Sequence, residues 1–335
     1  MNILALADAF IPADVMRPPL SALQPSHLQI IEWESSGVAE VHERIRRIER
    51  DGPEAEPVPE TVWDHLDQAE LIVTHMCPVN RRMIRKAERL RMIGVCRAGT
   101  ENIDKQEADG RNIRLYNVPG RNATAVAEFT VGLILAERRN ITRSHLSLAT
   151  GGWRKQFANT DQFTELAGKT VGLIGFGVVG QMVARRLEPF QVQLLVFDPF
   201  QQVELVEQYG AIAVGLQDLL LQSDIVSLHV RGEEDGPPLI GKTELDLMKP
   251  AAYLINTARA YLIDVDALID ALRRQRIAGA ALDVFEVEPL PVDSPLRGLD
   301  NITLTPHLAG STVEAFYNSP RILVEMIKDD LKDQT

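Results

Sequence analysis

The stretch Thr170–Gly180, which reads TVGLIGFGVVG, decides the fold of this chain. Its first five residues form a short apolar run that is typical of a buried strand, and glycines follow at positions 175, 177 and 180. The next residues, Gln181–Leu187, have the apolar spacing of an amphipathic helix. A strand that passes through closely spaced glycines into a helix predicts the first βαβ unit of a parallel sheet.

Strand-like apolar runs alternate with helical patterns on both sides of this stretch. Before it, strands are predicted at Asn2–Ala7, Leu28–Trp33, Leu71–Thr74 and Met92–Cys96. After it, strands are predicted at Gln193–Phe197, Ile225–His229, Ala252–Asn256, Gly279–Asp283 and Ile302–Leu304. Helices are predicted at Val38–Arg50, Asn80–Leu90, Thr124–Arg139 and Asp264–Arg274. Such alternation requires right-handed crossovers and gives parallel sheets, so the two series predict two α/β domains.

Three segments carry further structural expectations. Phe10–Pro25 is rich in proline and is predicted as a loop, and Asp51–Glu60 is predicted as a solvated acidic loop. The helix at Thr124–Arg139 is apolar over most of its circumference. A helix of this kind is buried, so we expect it to pack between domains or against another subunit.

Composition narrows the possible functions. The chain has 335 residues, which fits two domains, and its 35 basic and 47 acidic residues give a net charge of −12. An acidic chain is a poor candidate for broad nucleic-acid binding. Cys77 and Cys96 are the two cysteines, too few for a disulfide framework and without the spacing of a metal site, so no metal is expected. The N-terminus carries no basic signal-peptide region and no apolar run could span a bilayer, so we expect a cytoplasmic protein.

The glycine-rich turn has the spacing and context of a dinucleotide-binding site. Gly175 permits the tight turn, Gly177 lets the backbone approach a pyrophosphate, and Gly180 lets helix and strand pack closely. The helix N-terminus then offers its N–H groups to the phosphate oxygens. Asp198 ends the next predicted strand, where an acidic side chain accepts hydrogen bonds from the ribose diol. No Arg or Lys occurs in Pro199–Glu204 to bind a 2′-phosphate, so NAD(H) is predicted rather than NADP(H).

Polar side chains follow three later strands. Arg259 follows the first, Asp283 ends the second with Glu288 just beyond it, and His307 follows the third. Because the carboxyl ends of parallel strands face the ligand crevice, these side chains are expected to converge. The set suits hydride transfer to a 2-keto acid. His307 would protonate the oxygen, Glu288 would stabilise the imidazolium, Arg259 would bind the substrate carboxylate, and Asp283 would bond the nicotinamide carboxamide.

At these residues the sequence resembles the D-isomer-specific 2-hydroxyacid dehydrogenases, a family that includes glyoxylate and hydroxypyruvate reductases and D-3-phosphoglycerate dehydrogenase. The resemblance extends from about Leu71 onward and keeps the order of the motifs. The matching stretches are Arg97–Asp104, Asn117–Gly120, Ala125–Glu128, Leu166–Gly180, Asn256–Arg259, Ala281–Pro289 and Thr305–Gly310.

The resemblance implies an architecture. It is an α/β fold of two Rossmann-like, doubly wound parallel-sheet domains, in which the NAD-binding domain is inserted into a flavodoxin-like substrate domain. Residues 1–120 and 312–335 would form the substrate-binding domain, and residues 121–311 the NAD-binding domain. The region 122–154 would join two subunits into a homodimer. The implied activity is interconversion of a small 2-keto acid and its D-2-hydroxy acid.

The resemblance also assigns roles to individual residues. It carries over the proton-donating histidine, its carboxylate partner and the substrate-binding arginine to His307, Glu288 and Arg259. Further cofactor contacts fall on Thr100, Val178, Val179, Val230, Thr257, Ala258, Asp283 and Gly310. The loop that begins with Arg97, Ala98 and Gly99 would offer backbone N–H groups to the substrate carboxylate. His75 and Met76 follow a predicted strand and are expected to line the substrate pocket.

Several alternatives stay open at this point. An NAD(H)-sensing binding protein of the corepressor type would share the fold, whereas Glu288 argues against formate oxidation. In a purely structural interpretation, His307 caps a strand and Arg259 pairs with Glu288. His229 is predicted to serve packing. A phosphorylated substrate would require further basic residues, for which the candidates are Arg17, Arg81 and Arg82.

Overall fold

The computed structural model describes residues 1–160, 164–233 and 235–332. The chain divides into two compact units, each with its own parallel sheet. The first unit contains Met1–Asn122 and Thr312–Thr335, and the second contains Ala123–Ser311. In sequence, the second unit is therefore inserted between the two parts of the first.

The strands are short and are separated by helices along most of the chain. In chain order the strands are β1 (Asn2–Ala7), β2 (His27–Glu32), β3 (Leu71–Thr74), β4 (Met92–Val95), β5 (Arg114–Asn117), β6 (Thr170–Ile174), β7 (Gln193–Phe197), β8 (Ala211–Ala213), β9 (Ile225–Leu228), β10 (Tyr253–Asn256), β11 (Gly279–Leu282) and β12 (Ile302–Leu304). The helices are α1 (Ala13–Ser21), α2 (Val38–Asp51), α3 (Arg81–Lys86), α4 (Lys105–Gly110), α5 (Ala123–Arg138), α6 (Ile141–Ala149), α7 (Val178–Leu187), α8 (Val203–Glu207), α9 (Leu216–Gln222), α10 (Lys242–Leu247), α11 (Val265–Arg273), α12 (Val313–Tyr317) and α13 (Ser319–Lys332).

The sheet of the first unit has the strand order β2-β1-β3-β4-β5, and every neighbouring pair is parallel. The chain moves from β1 to one side for β2 and then to the other side for β3, so right-handed crossovers place helices on both faces. Strand β1 shows the result, because Leu4 and Leu6 enter one buried cluster while Ile3 and Ala5 enter another. Burial on both faces explains why β1 is a continuous apolar run.

The sheet of the second unit has the order β12-β11-β10-β9-β6-β7-β8, again with parallel pairs throughout. The order reverses between β6 and β9, which are neighbours. In open parallel sheets this reversal opens a crevice beyond the carboxyl ends of the two strands. The glycine-rich turn begins at the end of β6, directly at this point.

The predicted fold class is confirmed, and each predicted strand is found with its ends within one residue of the prediction. The predictions missed β5 and β8. Strand β5 lies at the edge of its sheet and contains Arg114 and Asn117, and β8 has three residues at another edge. Short edge strands need little apolar surface, so they leave a weak pattern in the sequence. Helix α3 is also shorter than predicted.

The prediction of a loop over Phe10–Pro25 is wrong, because α1 occupies the middle of this segment despite Pro18 and Pro19. Proline in a helix interior removes a backbone hydrogen bond and is unfavourable. Here Met16 and Leu20 lie on one face of α1 and are completely buried against the first sheet and α13. Burial of these two side chains offsets the cost of the prolines, a tertiary effect that local sequence does not report.

The segment Asp51–Glu60 is also not merely a solvated loop. The side chain of Glu56 is buried and accepts hydrogen bonds from Arg44 Nε at 2.9 Å and from Arg47 Nε at 2.5 Å. Arg44 in turn lies over the ring of Trp33, 3.5 Å from its centroid. The acidic segment is therefore tied to α2 by a buried ion pair.

The prediction that α5 is buried is confirmed for much of the helix, while its packing against another subunit stays a prediction. Helix α5 packs on α7 and on strands β10 and β11, all within its own unit. Its buried polar residue Glu137 bonds to Arg143 and to Thr303 Oγ1, the latter at 2.6 Å. Large apolar side chains are instead exposed on α6 and just after it, at Ile141, Leu146, Leu148 and Trp153.

In the described part of the chain, no helix has both the length and the apolar character that a membrane span requires.

Helix α13 allows a test of how the first unit is packed. Leu323 is completely buried and approaches Gly94 of β4 so closely that a Cβ on Gly94 would lie 2.7 Å from Leu323 Cδ2. We expect Leu323→Ala to leave a cavity and to lower the free energy of unfolding by about 2–5 kcal/mol in urea titrations. Met326→Ala on the exposed face of the same helix should change it by about 0.5 kcal/mol or less. Equal losses in both variants would contradict this packing.

Candidate active site

The turn between β6 and α7 depends on two of its glycines for different reasons. Gly175 has a φ of +96°, and a Cβ there would lie 2.6 Å from Val230 Cγ1 and 2.7 Å from the carbonyl oxygen of His229. A Cβ on Gly180 would lie 2.3 Å from the carbonyl oxygen of Gly175. Gly175 is therefore required for backbone conformation, and Gly180 is required for close approach of helix and strand.

Gly177 differs, because a Cβ built there has no atom within 4 Å. It is the N-cap of α7, and the first turn of α7 carries no acidic side chain. Val178, the first helical residue, is 57% exposed, and Val179 packs partly against the core. An open space beside a helix N-terminus, where backbone N–H groups lack intrahelical partners, fits the pyrophosphate of a dinucleotide.

Asp198 follows directly after β7, the strand beside β6. Its carboxylate accepts hydrogen bonds from Phe176 N at 2.7 Å and from Phe200 N at 2.9 Å. The first of these bonds holds Asp198 against the glycine-rich turn. The half-buried carboxylate lies at the carboxyl edge of the sheet, where a ribose bound to this turn would meet it.

His307 and Glu288 form a direct pair. Nδ1 of His307 lies 2.9 Å from Oε2 and 3.1 Å from Oε1 of Glu288, and Oε1 also accepts a hydrogen bond from Phe285 N at 3.0 Å. The side chain of His307 is 53% exposed, and its contacts with Glu288 are made by Nδ1, which leaves Nε2 on the other side of the ring. A histidine whose Nδ1 is held by a carboxylate presents Nε2 for proton transfer.

Asp283 is completely buried, and both its oxygens are engaged by the loop that carries His307. Oδ1 accepts hydrogen bonds from Thr305 Oγ1 at 2.6 Å and Leu308 N at 2.9 Å, and Oδ2 accepts one from Ala309 N at 2.8 Å. The loop includes His307 itself at a φ of +54°. The carboxylate that was predicted to bond the nicotinamide therefore shapes the histidine loop in this structure.

Arg259 lies beyond the end of β10 and is exposed. Its Nη1 donates to the carbonyl oxygen of Ala258 at 2.7 Å, and it pairs with no carboxylate in the part of the chain that the structure describes. The structural alternative of an Arg259–Glu288 ion pair is therefore not found. Asn256 shapes the turn, since its side chain accepts from Ala258 N and donates to the carbonyl oxygen of Arg259. Thr257 is buried, with its hydroxyl 2.8 Å from that of Thr130.

The strand order explains how these residues come near one another. Strands β10, β11 and β12 are consecutive neighbours in the sheet, and all run in the same direction. Arg259, Asp283 and His307 each follow one of these three strands. They therefore lie at one edge of the second sheet, which is also the edge where the glycine-rich turn begins. Gly310 follows the same histidine loop.

His229 follows directly after β9, and desolvation of its ring lowers its pKa to about 4. The ring is neutral at physiological pH, and its Nε2 has no hydrogen-bond partner among the described residues. Its carbonyl oxygen, rather than its ring, lies against the glycine-rich turn at Gly175. These features fit the packing role predicted for it.

In the first unit, the loop after β4 carries the predicted substrate contacts. Arg97 is bonded to Glu49 at 2.8 Å and to Glu101 at 3.2 Å, and its Nη1 lies 3.2 Å from the sulfur of Met76. The carbonyl oxygen of Ala98 accepts a hydrogen bond from Asn117. Gly99 and Thr100 follow, the latter buried.

His75 follows β3 and is completely buried. Its Nδ1 lies 3.0 Å from Oδ2 of Asp8, which also accepts a hydrogen bond from Met76 N at 3.1 Å. Burial tends to raise the pKa of Asp8, but the facing His75 ring and backbone N–H groups lower it below its usual value. Burial lowers the pKa of His75 despite the opposing effect of Asp8. The pair is thus a carboxylate and a neutral imidazole at pH 7.

Sequence reasoning missed Asp8 in this cluster, although a signal was available. Asp8 follows directly after β1, just as Asp198 follows β7 and Asp283 follows β11. The three basic candidates for a phosphorylated substrate are all exposed. Arg81 bonds to Asp104 at 3.0 Å, so it is already neutralised by the protein.

The fold and this site define a dinucleotide-binding α/β protein with a histidine–carboxylate pair at the edge of its sheet. Residues 131–309 match the family described as "D-isomer specific 2-hydroxyacid dehydrogenase, NAD binding domain". A hydroxypyruvate reductase of Thermotoga maritima is 36% identical over 288 residues, which cover 82% of this chain and 90% of that protein. The chain belongs to the D-isomer-specific 2-hydroxyacid dehydrogenase family, in which this domain binds NAD.

Other relatives agree with this assignment. A D-3-phosphoglycerate dehydrogenase of Methanocaldococcus jannaschii is 40% identical over 270 residues, covering 80% of this chain and 51% of that protein. The chain spans about half the length of this enzyme and of its Archaeoglobus fulgidus counterpart.

Solved structures of the family share the fold. The structure of D-2-hydroxyisocaproate dehydrogenase has a TM-score of 0.75 at 25% identity and covers 100% of this chain and 98% of its own. The NAD⁺ complex of D-lactate dehydrogenase from Lactobacillus jensenii has a TM-score of 0.73 at 25% identity, covering 97% of this chain and 95% of its own.

The geometry of Asp283 yields a prediction. In Asp283→Asn one carboxylate oxygen becomes an NH₂ group, which faces backbone N–H or hydroxyl donors that then lack an acceptor. We expect the free energy of unfolding to fall by about 1–3 kcal/mol in urea titrations. NADH affinity, measured by fluorescence titration, should change little, because the carboxylate is already engaged by the histidine loop.

Asp266→Asn is the matched control, since Asp266 is an exposed acid of α11 in the same unit. It should leave both measurements unchanged. Full stability together with a marked loss of NADH affinity in Asp283→Asn would instead favour the contact with the nicotinamide that the sequence predicted.

Proposed function

We propose that this protein is an NAD-dependent oxidoreductase that interconverts a small 2-keto acid and its D-2-hydroxy acid by hydride transfer. The observation that carries the proposal is the His307–Glu288 pair, 2.9 Å from Nδ1 to Oε2, at the same sheet edge as the glycine-rich turn. A dinucleotide site and an acid–base pair at one edge are what reduction of a carbonyl group requires.

In the proposed reaction, NAD supplies or accepts the hydride when bound. His307 donates a proton from Nε2 to the carbonyl oxygen as it becomes a hydroxyl, and takes it back in the reverse direction. Glu288 stabilises the imidazolium through Nδ1 and fixes the orientation of the ring. Arg259, which the protein leaves without a carboxylate partner among the described residues, binds the carboxylate of the substrate through its paired N–H groups.

The cofactor would be held by the second unit. Gly177 and the N-terminus of α7 would bind the pyrophosphate, and Asp198 the ribose diol, which favours NAD over NADP. The remaining proposed contacts are Thr100, Gly175, Val178, Val179, Gly180, Val230, Thr257, Ala258 and Gly310, whereas Asp283 would act by holding the histidine loop.

The first unit would bind the substrate. Backbone N–H groups of the loop at Arg97, Ala98 and Gly99 would meet the substrate carboxylate, and His75 and Met76 would line its pocket. Residues 1–120 and 312–335 would thus form the substrate domain, and residues 121–311 the NAD domain.

The names of the relatives support this reaction. The similar proteins include a hydroxypyruvate reductase, a glyoxylate reductase of Thermofilum pendens and D-3-phosphoglycerate dehydrogenases. The alternative of an NAD-sensing corepressor is not favoured, because these relatives are named for reductase and dehydrogenase activities.

A homodimer through residues 122–154 is part of the proposal. Helix α6 exposes Ile141, Leu146 and Leu148, and Trp153 just beyond it is 77% exposed. Large apolar side chains gathered on one exposed helix are typical of an association surface.

His307 provides the first test. We expect His307→Ala to lower the turnover of NADH oxidation with glyoxylate, hydroxypyruvate or 2-ketobutyrate by about 10²–10⁴-fold, because the proton donor is lost. NADH binding should persist. His27→Ala, which removes an exposed histidine of β2, should have wild-type turnover. Unchanged turnover in His307→Ala would remove the acid role assigned to this residue.

Gly177 provides a test of the cofactor site. A Cβ at this position meets no protein atom within 4 Å, so Gly177→Ala should fold normally. It should weaken NADH binding by about tenfold or more, because the methyl group occupies the space proposed for the pyrophosphate. Gly215→Ala is a matched control, since Gly215 is also a helix N-cap with a φ of −69°. Wild-type NADH affinity in Gly177→Ala would contradict the proposed cofactor position.

A further inference from the structure

Arg121 lies at the carboxyl edge of the first sheet, in the segment that follows β5. Strands β4 and β5 are neighbours, and Arg97 lies just beyond β4 in the same way that Arg121 lies beyond β5. The two segments are joined by a hydrogen bond from Val118 N to the carbonyl oxygen of Arg97 at 2.9 Å. Arg121 therefore adjoins the loop proposed to bind the substrate carboxylate.

The guanidinium of Arg121 is stacked rather than ion-paired. Its Cζ lies 4.5 Å from the centroid of the Phe316 ring, and Nη1 donates to the carbonyl oxygen of Ala315 at 3.0 Å. No carboxylate of the described residues forms an ion pair with it, whereas Arg97 has two such partners in Glu49 and Glu101. Stacking occupies the face of a guanidinium. The N–H groups along its edge can therefore still donate hydrogen bonds to an acceptor other than the ring.

The charge of the nearby Asp8 tends to raise the pKa of Arg121, but Asp8 forms no ion pair with it among the described residues. Asp8 already accepts hydrogen bonds from His75 Nδ1 and from the backbone N–H groups of Phe10, Ile11 and Met76. Burial lowers the pKa of Arg121 to about 10, and repulsion from Arg97 acts in the same direction. Arg121 is still fully charged at pH 7, so it is a partly buried cation with which no carboxylate of the described residues forms an ion pair.

Aromatic rings surround this cation on the side of α12. Phe10 is stacked on Phe316 with 4.9 Å between their centroids, and His75 meets both rings edge-on. The Nε2 atom of His75 is buried and has no hydrogen-bond partner among the described residues. The charged donor beside apolar rings is suited to a small organic anion, whereas Nε2 of the neutral His75 can only accept a hydrogen bond.

We propose that Arg121 is a specificity-determining residue that binds a second anionic group of the substrate. The favoured 2-keto acid then carries a carboxylate or a phosphate at the end opposite its keto-acid group. This inference rests on the proposed function and deepens it, because that function assigns no residue to a second anionic group of the substrate. Two oxygens of a carboxylate or a phosphate in line with the edge of the guanidinium would form two parallel hydrogen bonds and an ion pair with Arg121.

The test compares kcat/KM for NADH oxidation within pairs of 2-keto acids that differ in the terminal anion. For carboxylate the pair is 2-oxoglutarate and 2-ketohexanoate, and for phosphate it is 3-phosphohydroxypyruvate and hydroxypyruvate. We expect the wild-type protein to prefer the dianionic member of one pair by about tenfold or more. The pair that shows the preference identifies the anion.

Variants then assign the preference to Arg121. Arg121→Met keeps the aliphatic part of the side chain and removes the guanidinium. It should lower kcat/KM for the dianionic substrate only. The ratio of kcat/KM between the two members of the pair should therefore drop by about tenfold. Arg121→Lys keeps the charge without the planar fork and should retain part of the ratio. This second variant also keeps the test decisive if Arg121→Met does not fold. The control is Arg89→Met, which replaces an exposed arginine of the same unit and should keep the full ratio.

The outcomes separate this inference from the function on which it rests. A wild-type ratio near one, or an equal loss on both members of a pair in Arg121→Met, would overturn the role of Arg121 while the reductase activity stands. The absence of NADH oxidation with every 2-keto acid would overturn the proposed function and the inference with it. A selective loss on the dianionic substrate, partly rescued by lysine, would establish the second anion site.

Discussion

The parallel direction of all the strands is the constraint on which the rest of this structure depends. In each sheet it places every strand end of one polarity at the same edge, so side chains far apart in sequence become neighbours there. Arg259, Asp283 and His307 belong to three separate motifs, yet they follow three consecutive strands of one sheet. Apolar residues cover both faces of each sheet, so polar groups concentrate at this edge because the faces exclude them.

A second feature recurs at these edges, namely an aspartate directly after a strand that holds a loop. Asp8, Asp198 and Asp283 each follow directly after a strand, and each accepts backbone N–H groups from a loop. A carboxylate offers several acceptor sites, and hydrogen bonds to a charged acceptor are stronger than those between neutral groups. Loops that would otherwise be mobile are thereby held at defined positions, including the loop that carries His307 at a positive φ.

Local charge at the sheet edges differs from the charge of the whole chain. The net charge is −12, but the residues proposed to bind anions, Arg259 and Arg121, are among the arginines for which the described residues supply no carboxylate. Arg44, Arg81 and Arg97 are instead paired with acidic side chains. Because acidic side chains pair with some cations and not with others, composition alone is a weak guide to substrate charge.

The sequence by itself determined the fold class, the positions of most strands and the glycine-rich turn, because apolar periodicity and glycine spacing are local properties. It also identified His307 with Glu288 through a resemblance in motif order. The helix α1 through Pro18 and Pro19, the edge strand β5 and the buried Glu56 were decided by tertiary structure, since each depends on surface contributed by distant segments. The same holds for Arg121 and Asp8. Whether a charged side chain is paired, stacked or left for a ligand depends on neighbours that only the folded chain brings together.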